Sequence, residues 1–190
     1  MKLEIDILSN PTEFVQKWSS HYDYPNDKIY FDNIKNGLDK YESFLELFRW
    51  KNGIYNISSK KMDVIDGFWD KIVVLRKLKI DFDWELFENE FQPYKSSSIW
   101  KIFLLHIMDS HNYPIFDVHV FRFHHFIKYG FIKEIPNNQR LKYEYYKSEY
   151  LKWFRDLRDE YSLNPKKMDE SFFKFGQILK PLKGLPIELV

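Results

Sequence analysis

Residues 97–108 constrain the fold of this chain more than any other segment. Their sequence, SSIWKIFLLHIM, has only Lys101 and His106 as polar interruptions after the opening serines. A helix that is apolar on almost every side buries its whole circumference, so it lies in the middle of a protein. Other elements must surround this helix, and the pattern of the remaining sequence decides what they are.

Apolar residues recur at helical spacing through most of that remaining sequence, and proline, glycine or asparagine separates the periodic stretches. Residues 22–37, which include Pro25 and Gly37, are predicted to form an irregular connection. No stretch has a convincing strand pattern. The sequence therefore predicts an all-α fold of roughly eight helices, one starting at Pro11, one opened by Pro165, and the others at 38–50, 62–78, 84–91, 97–108, 117–129 and 138–162.

Composition excludes several kinds of site. The chain has no cysteine, which rules out disulfides, thiol nucleophiles and thiolate-held metal centres. Its 29 Lys and Arg and 28 Asp and Glu leave a net charge of +1, so any contact with nucleic acid requires a local basic patch. The first residues lack a signal-peptide pattern, and the longest apolar run is too short to cross a bilayer. We expect a soluble, cytoplasmic protein.

Residues 113–122, YPIFDVHVFR, place an aspartate where an apolar run meets a helical pattern. Asp117 is therefore expected to be an N-cap whose carboxylate accepts the backbone N–H of His119 or Val120. The same position, beside Phe116 and Tyr113, holds a carboxylate in partly buried surroundings that favour acid–base chemistry. The two interpretations are compatible.

The D-x-H-V-x-R pattern at 117–122 resembles the aspartate segment of the helix-hairpin-helix DNA glycosylase superfamily. The resemblance covers roughly residues 92–125. It implies one domain, 1–190, of two helical lobes with the ligand between them: a central lobe at 30–112, and a second lobe made of 1–29 and 113–190. It also implies excision of a flipped-out base from double-stranded DNA, with Asp117 as the catalytic carboxylate.

Lys101 is a candidate nucleophile. Bifunctional members of the superfamily carry a lysine one helix before the aspartate, and Lys101 precedes Asp117 by sixteen residues. On a helical wheel it shares an apolar face with Leu104 and Met108, surroundings that lower the pKa of an amine. Alternatively its amine reaches solvent, or Trp100 takes the position, as an aromatic residue does in some monofunctional relatives.

The glycine hairpin with which the superfamily grips a DNA phosphate has no counterpart here. The corresponding residues 92–98, QPYKSSS, contain no glycine, and without glycine a tight turn with positive φ is costly. A phosphate would instead meet the N-terminus of the following helix, or one of the serines simply caps that helix. The candidate nucleic-acid contacts are Lys95, Ser96, Ser97 and Ser98.

The resemblance also assigns roles around the carboxylate. His119 would support it, Arg122 would orient it or meet a phosphate, and Tyr113 and Trp100 would line the substrate pocket together with His119. The alternative for Arg122 is a surface or inter-helix ion pair. No two histidines stand four residues apart, so neither a metal nor another cofactor is expected.

A second hypothesis is a non-catalytic all-α module on the same scaffold that binds nucleic acid or a partner protein. The missing hairpin, the near-neutral charge and the spacing between Lys101 and Asp117 all favour it.

Overall fold

The computed structural model of the protein describes residues 2–3, 10–53, 56–91, 97–184 and 188–189. The all-α prediction is confirmed, and the one exception in these ranges is a two-residue parallel pairing of β1 (Lys2–Leu3) with β2 (Glu188–Leu189). The chain divides into two compact units: the terminal unit, Met1–Asp23 with Ser110–Val190, and the inserted unit, Tyr24–Asp109. That the two units form one two-lobed domain stays a prediction.

The described residues form eleven α-helical segments. They are α1 (Pro11–Ser20), α2 (Asp27–Asn33), α3 (Tyr41–Asn52), α4 (Ser59–Trp69), α5 (Ile72–Ile80), α6 (Trp84–Phe91), α7 (Ser98–Met108), α8 (Val118–Tyr129), α9 (Gln139–Tyr145), α10 (Leu151–Tyr161) and α11 (Pro165–Leu179). A π-helical turn, Tyr146–Tyr150, joins α9 to α10, so these ranges contain ten separate helices instead of the predicted eight.

The inserted unit is built around α7, as its apolar sequence predicts. All of α7 is buried except Ile99 and Lys101, which are half-buried. The ring of Phe48 on α3 packs 5.1 Å from Trp100 and 5.4 Å from Phe103. The central position of this helix is therefore confirmed within the inserted unit.

Two predictions about the inserted unit are wrong. Each of them adds one helix to the predicted number. Residues 22–37 contain α2, which is anchored by a buried 2.9 Å hydrogen bond between the Tyr30 hydroxyl and His106 Nε2 of α7. The predicted helix 62–78 is interrupted after Trp69. There the Lys71 amine donates to the backbone carbonyl of Glu90 at 2.7 Å and to its carboxylate at 2.9 Å, which ties the turn to α6.

The terminal unit packs α8 and α1 against α11. The Phe123 ring of α8 stacks 4.6 Å from Phe172 and 5.6 Å from Phe14 of α1. Gly176 of α11 lies so close to the backbone of His119 that a Cβ atom at this glycine would be 2.1 Å from the His119 carbonyl oxygen. This contact brings α11 directly against the first turn of α8, which follows Asp117.

Candidate active site

Asp117 is the N-cap of α8, as predicted. Its Oδ1 accepts the backbone N–H of His119 at 2.8 Å and that of Val120 at 3.0 Å. Two donors on one oxygen satisfy N–H groups that a helix otherwise leaves without intrahelical partners. The side chain is half-buried. The result is a carboxylate with a fixed position at the start of a helix that is almost entirely buried beyond its first turn.

A second carboxylate, which the sequence analysis missed, holds the segment leading to Asp117. Asp169 on α11 is only 4% exposed, and its Oδ2 accepts the backbone N–H of Ile115 at 3.2 Å. Its signal in the sequence was its position on the apolar face of α11, three residues before Phe172. An acid at such a core-facing position needs a specific donor, and here the donor is backbone.

Both carboxylates influence the pKa of Tyr150, a fully buried residue of the π-helical turn. Burial raises the pKa of the Tyr150 hydroxyl well above its usual value, and the negative charges of Asp169 and Asp117 contribute in the same direction. Both effects favour the protonated phenol of Tyr150. Single π-helical turns inside α-helices are frequent at functional sites, and this one lies in the same unit as Asp117.

Arg122 is enclosed by protein groups, and its guanidinium lies away from solvent. The residue is 1% exposed and donates to both carboxylate oxygens of Glu134 at 3.0 and 3.2 Å, and to the Gly176 carbonyl at 2.8 Å. A phosphate would have to displace Glu134 from a buried charge, which is costly. An ion pair is present, but its partner Glu134 lies in the loop after α8 and not on the surface of a second helix, and a role of Arg122 toward Asp117 or a phosphate stays a prediction. Arg122 joins α8, α11 and the loop that follows α8.

His119 belongs to the same network. Its Nδ1 lies 3.2 Å from Nη1 of Arg122, and its ring packs edge-on against Phe173 at 4.9 Å. Burial lowers the pKa of His119, and the charge of Arg122 lowers it further, although Asp117 acts in the opposite direction. Because Arg122 carries no acceptor, Nδ1 of His119 must be the acceptor in their contact. His119 thus supports the start of α8 in its neutral form.

The residues predicted to line a substrate pocket lie in packed surroundings. Tyr113, in the terminal unit, is 5% exposed and its ring lies beneath the Arg155 guanidinium at 4.8 Å. Trp100, in the inserted unit, is 7% exposed and has the Lys61 amine 5.4 Å from its ring. Their roles toward a substrate stay predictions.

Lys101 and Asp117 lie in different units. Lys101 is half-buried on α7, with its amine 5.3 Å from the centre of the Phe87 ring. A lysine amine over an aromatic face makes a cation–π contact. Both the predicted apolar face with Leu104 and Met108 and the nucleophilic role of Lys101 stay predictions.

The predicted phosphate contacts are partly accounted for by helix capping. Ser97 is the N-cap of α7, and its hydroxyl accepts the backbone N–H of Trp100 at 3.4 Å. Ser98 is buried in the first turn of α7. Lys95 and Ser96 lie outside the described residues. The capping interpretation thus applies to Ser97.

A pocket of about 230 Å³ lies in the inserted unit and contains none of the residues predicted as functional. Its lining is Tyr24, Pro25, Asn26, Ile29, Arg49, Trp50 and Gly53. The Tyr24 hydroxyl donates to the backbone carbonyl of Trp50 at 3.1 Å, and the rings of the two residues lie 5.2 Å apart. The guanidinium of Arg49 is already paired with Glu46.

His124 gives the terminal unit a pH-dependent stability. Its ring is fully buried between Tyr150 and Trp153, and burial lowers its pKa to about 3. The unfolded state binds this proton with a pKa near 6.5, so the stabilisation is complete above pH 6.5 and is lost as the pH falls toward 3. We expect this residue alone to lower the free energy of unfolding by roughly 1.4 kcal/mol per pH unit in that range.

The test compares urea unfolding of wild type, His124→Gln and the exposed control His21→Gln between pH 6.5 and 4.5. The readout is the slope of unfolding free energy against pH, because the substitution also changes packing at every pH. We expect the slope to fall by about 1.4 kcal/mol per pH unit, the equivalent of one proton, in His124→Gln and to stay unchanged in His21→Gln. Parallel slopes for wild type and His124→Gln would show that His124 is protonated in the folded protein.

Comparison with known proteins adds no relative: no protein-family model, no curated protein and no solved structure matches this chain. In the described ranges, no three His, Asp or Glu side chains are grouped as metal ligands. Within those same ranges, every helix is too short or too polar to span a membrane.

Proposed function

We propose that this chain is a divergent helix-hairpin-helix DNA glycosylase that excises a damaged or mismatched base from double-stranded DNA, with Asp117 as the reacting carboxylate. The observation that carries the proposal is the position of Asp117 in the D-x-H-V-x-R pattern, where two backbone N–H groups hold Oδ1. A carboxylate that is already oriented does not have to reorganise as positive charge develops nearby, and this is where electrostatic catalysis gains most.

The chemistry requires one negative group beside the sugar. The bond between C1′ and the base breaks, and its electron pair leaves with the base. The carboxylate of Asp117 stabilises the positive charge that develops on the sugar, and it accepts a proton from the water that then adds to C1′. The network of Arg122, His119 and Gly176 supports this role indirectly, because it fixes the first turn of α8.

The test is excision by the full chain on duplexes that each carry one deaminated, oxidised, alkylated or mismatched base. We expect release of the base from at least one class of duplex and none from the matched undamaged duplex. Failure of the folded protein to release a base from any of these duplexes would overturn the proposal.

Lys101 is tested separately, because it belongs to the other unit. If its amine attacks C1′, borohydride reduction traps a covalent protein–DNA adduct in wild type and in Lys79→Ala, an exposed control lysine of α5, but not in Lys101→Ala. Base release without any trapped adduct would leave water as the nucleophile and remove Lys101 from the chemistry.

The second candidate function is a non-catalytic module on the same scaffold that binds nucleic acid or a protein. The enclosure of Arg122 by Glu134 and Gly176 favours it, since that arginine is not available to a DNA phosphate in this arrangement. Retention on DNA that weakens steeply with salt, without excision on any duplex, would identify a nucleic-acid-binding module. Retention that does not change with salt, or that is equal on a matrix without DNA, would contradict a nucleic-acid-binding module.

A further inference from the structure

The C-terminal end of α8 carries two exposed aromatic side chains that no step of the proposed excision uses. Tyr129, the last residue of α8, is 48% exposed, and Phe131 is 55% exposed. Gly130 between them has φ +76°, a conformation that favours glycine and reverses the chain. The reversal brings Phe131 back beside Tyr129, with ring centres 6.4 Å apart. The helix end explains the position of Phe131, but it leaves half of the ring in water.

A buried histidine holds the two rings in place. The His125 ring is 5% exposed and lies 4.6 Å from the Tyr129 ring and 4.7 Å from the Phe131 ring. Its Nδ1 is 3.1 Å from the Phe131 carbonyl oxygen, which fixes the backbone of that residue as well. We name the surface made by Tyr129 and Phe131 the aromatic platform. Because the two side chains are already ordered, the binding of a ligand on them costs little additional side-chain entropy of the protein.

The sequence around the aromatic platform is rich in bases. The fifteen residues 128–142 contain four bases (Lys128, Lys133, Arg140 and Lys142) and a single acid, Glu134. That acid is engaged with the buried Arg122, so it does little to offset the exposed bases. Lys128 has its amine 5.5 Å from the Tyr129 ring and is also paired with Glu149. Lys133 and Arg140 are exposed.

We infer that the aromatic platform binds single-stranded nucleic acid, with bases stacked on Tyr129 and Phe131 and the phosphates near Lys133 and its basic neighbours. Exposed aromatic rings beside lysines are the combination that single-stranded nucleic acids recognise, since every base offers a face for stacking. A paired duplex keeps its base faces covered. A protein partner fits less well, because lysine is depleted in protein–protein interfaces.

This surface is separate from the candidate active site. It lies at the opposite end of α8 from Asp117, about 18 Å away for a helix of this length. The inference does not rest on the proposed excision, and its test uses an undamaged strand on which no base is released.

The experiment measures the affinity of a fluorescein-labelled dT12 strand by anisotropy at several salt concentrations. The variants are the double substitution Tyr129→Ala/Phe131→Ala and the control Phe31→Ala. Phe31 matches Phe131 in exposure, at 55%, but the segment around it has balanced charge, with Asp27 and Asp32 beside Lys28 and Lys35. We expect the double variant to raise Kd by at least about tenfold and Phe31→Ala to leave it unchanged.

A second variant keeps the inference testable if the double substitution impairs folding. Lys133→Gln changes an exposed charge and no packed ring, and we expect it to reduce the slope of log affinity against log salt by about 0.7. Three outcomes would overturn the inference: no binding of the strand at low salt, equal losses in the double variant and in Phe31→Ala, or equally tight binding of polyglutamate. The last outcome would assign the surface to an acidic protein.

Discussion

Gly176→Ala is expected to lower the free energy of unfolding by about 3 kcal/mol, the cost of forcing an extra methyl group into a filled space. The added Cβ atom would be 2.1 Å from the His119 carbonyl oxygen and 2.6 Å from its carbonyl carbon. Both are backbone atoms, so neither can rotate away, and α8 and α11 must separate. Separation also strains the 2.8 Å hydrogen bond from Arg122 to the Gly176 carbonyl.

The sign of this effect is diagnostic. In a helix without such a contact, alanine is the better residue by about 1 kcal/mol, so the substitution would stabilise the protein. Thermal unfolding followed by circular dichroism measures the difference, and a loss of about 3 kcal/mol lowers the midpoint by roughly 6–12 °C in a chain of this size. The control is Ile178→Ala, two residues further along α11 and 38% exposed, which is expected to change stability by less than about 0.5 kcal/mol. A midpoint for Gly176→Ala at or above that of wild type would contradict the close approach of the two helices.

Elements specified by local sequence were predictable. The apolar circumference of α7, the serine at its start and the Asp117 cap of α8 each depend on residues within a few positions of one another. The long helix over 138–162 was recognised in the same way, and the Asn138 side chain caps it by accepting the Leu141 N–H at 3.1 Å. Its π-helical turn had no counterpart in the pattern, and we have no physical account of why the extra residue falls there.

Features that depend on distant partners were not predictable. The helix α2 is short and weakly periodic, and it is anchored by Tyr30 through a contact with His106, 76 residues away. The break between α4 and α5 depends on Lys71 reaching Glu90, 19 residues further on. A periodicity argument contains no information about either contact.

The candidate site shows the same division. Asp117 was found because its capping role is local, whereas Asp169 holds the segment before α8 from 54 residues away. For Arg122 the sequence left open a role toward Asp117, a phosphate contact or an ion pair, because neither Glu134 nor Gly176 is recognisable as its partner from spacing. An arginine near a carboxylate in the sequence therefore indicates that a hydrogen-bond network is present. It does not indicate which other groups belong to that network.

Substitution of Asp117 is expected to have the second large effect, on the rate of excision. Two substitutions separate its role as a helix cap from its role as a charged group. Asn caps a helix about as well as Asp does, so Asp117→Asn removes the charge and is expected to leave the unfolding midpoint within about 2 °C of wild type. Asp117→Ala removes both the charge and the cap, and is expected to lose about 1 kcal/mol of stability. If the carboxylate acts in excision, both variants lose at least about 100-fold in rate.

The most direct measurement is therefore the single-turnover rate of base excision by Asp117→Asn, relative to wild type, on the duplex that wild type cleaves best. The proposed function predicts a rate at least about 100-fold lower in a protein whose unfolding midpoint equals that of wild type. Excision by Asp117→Asn at the rate of wild type would mean that the carboxylate only caps α8, and would contradict the proposed role of Asp117.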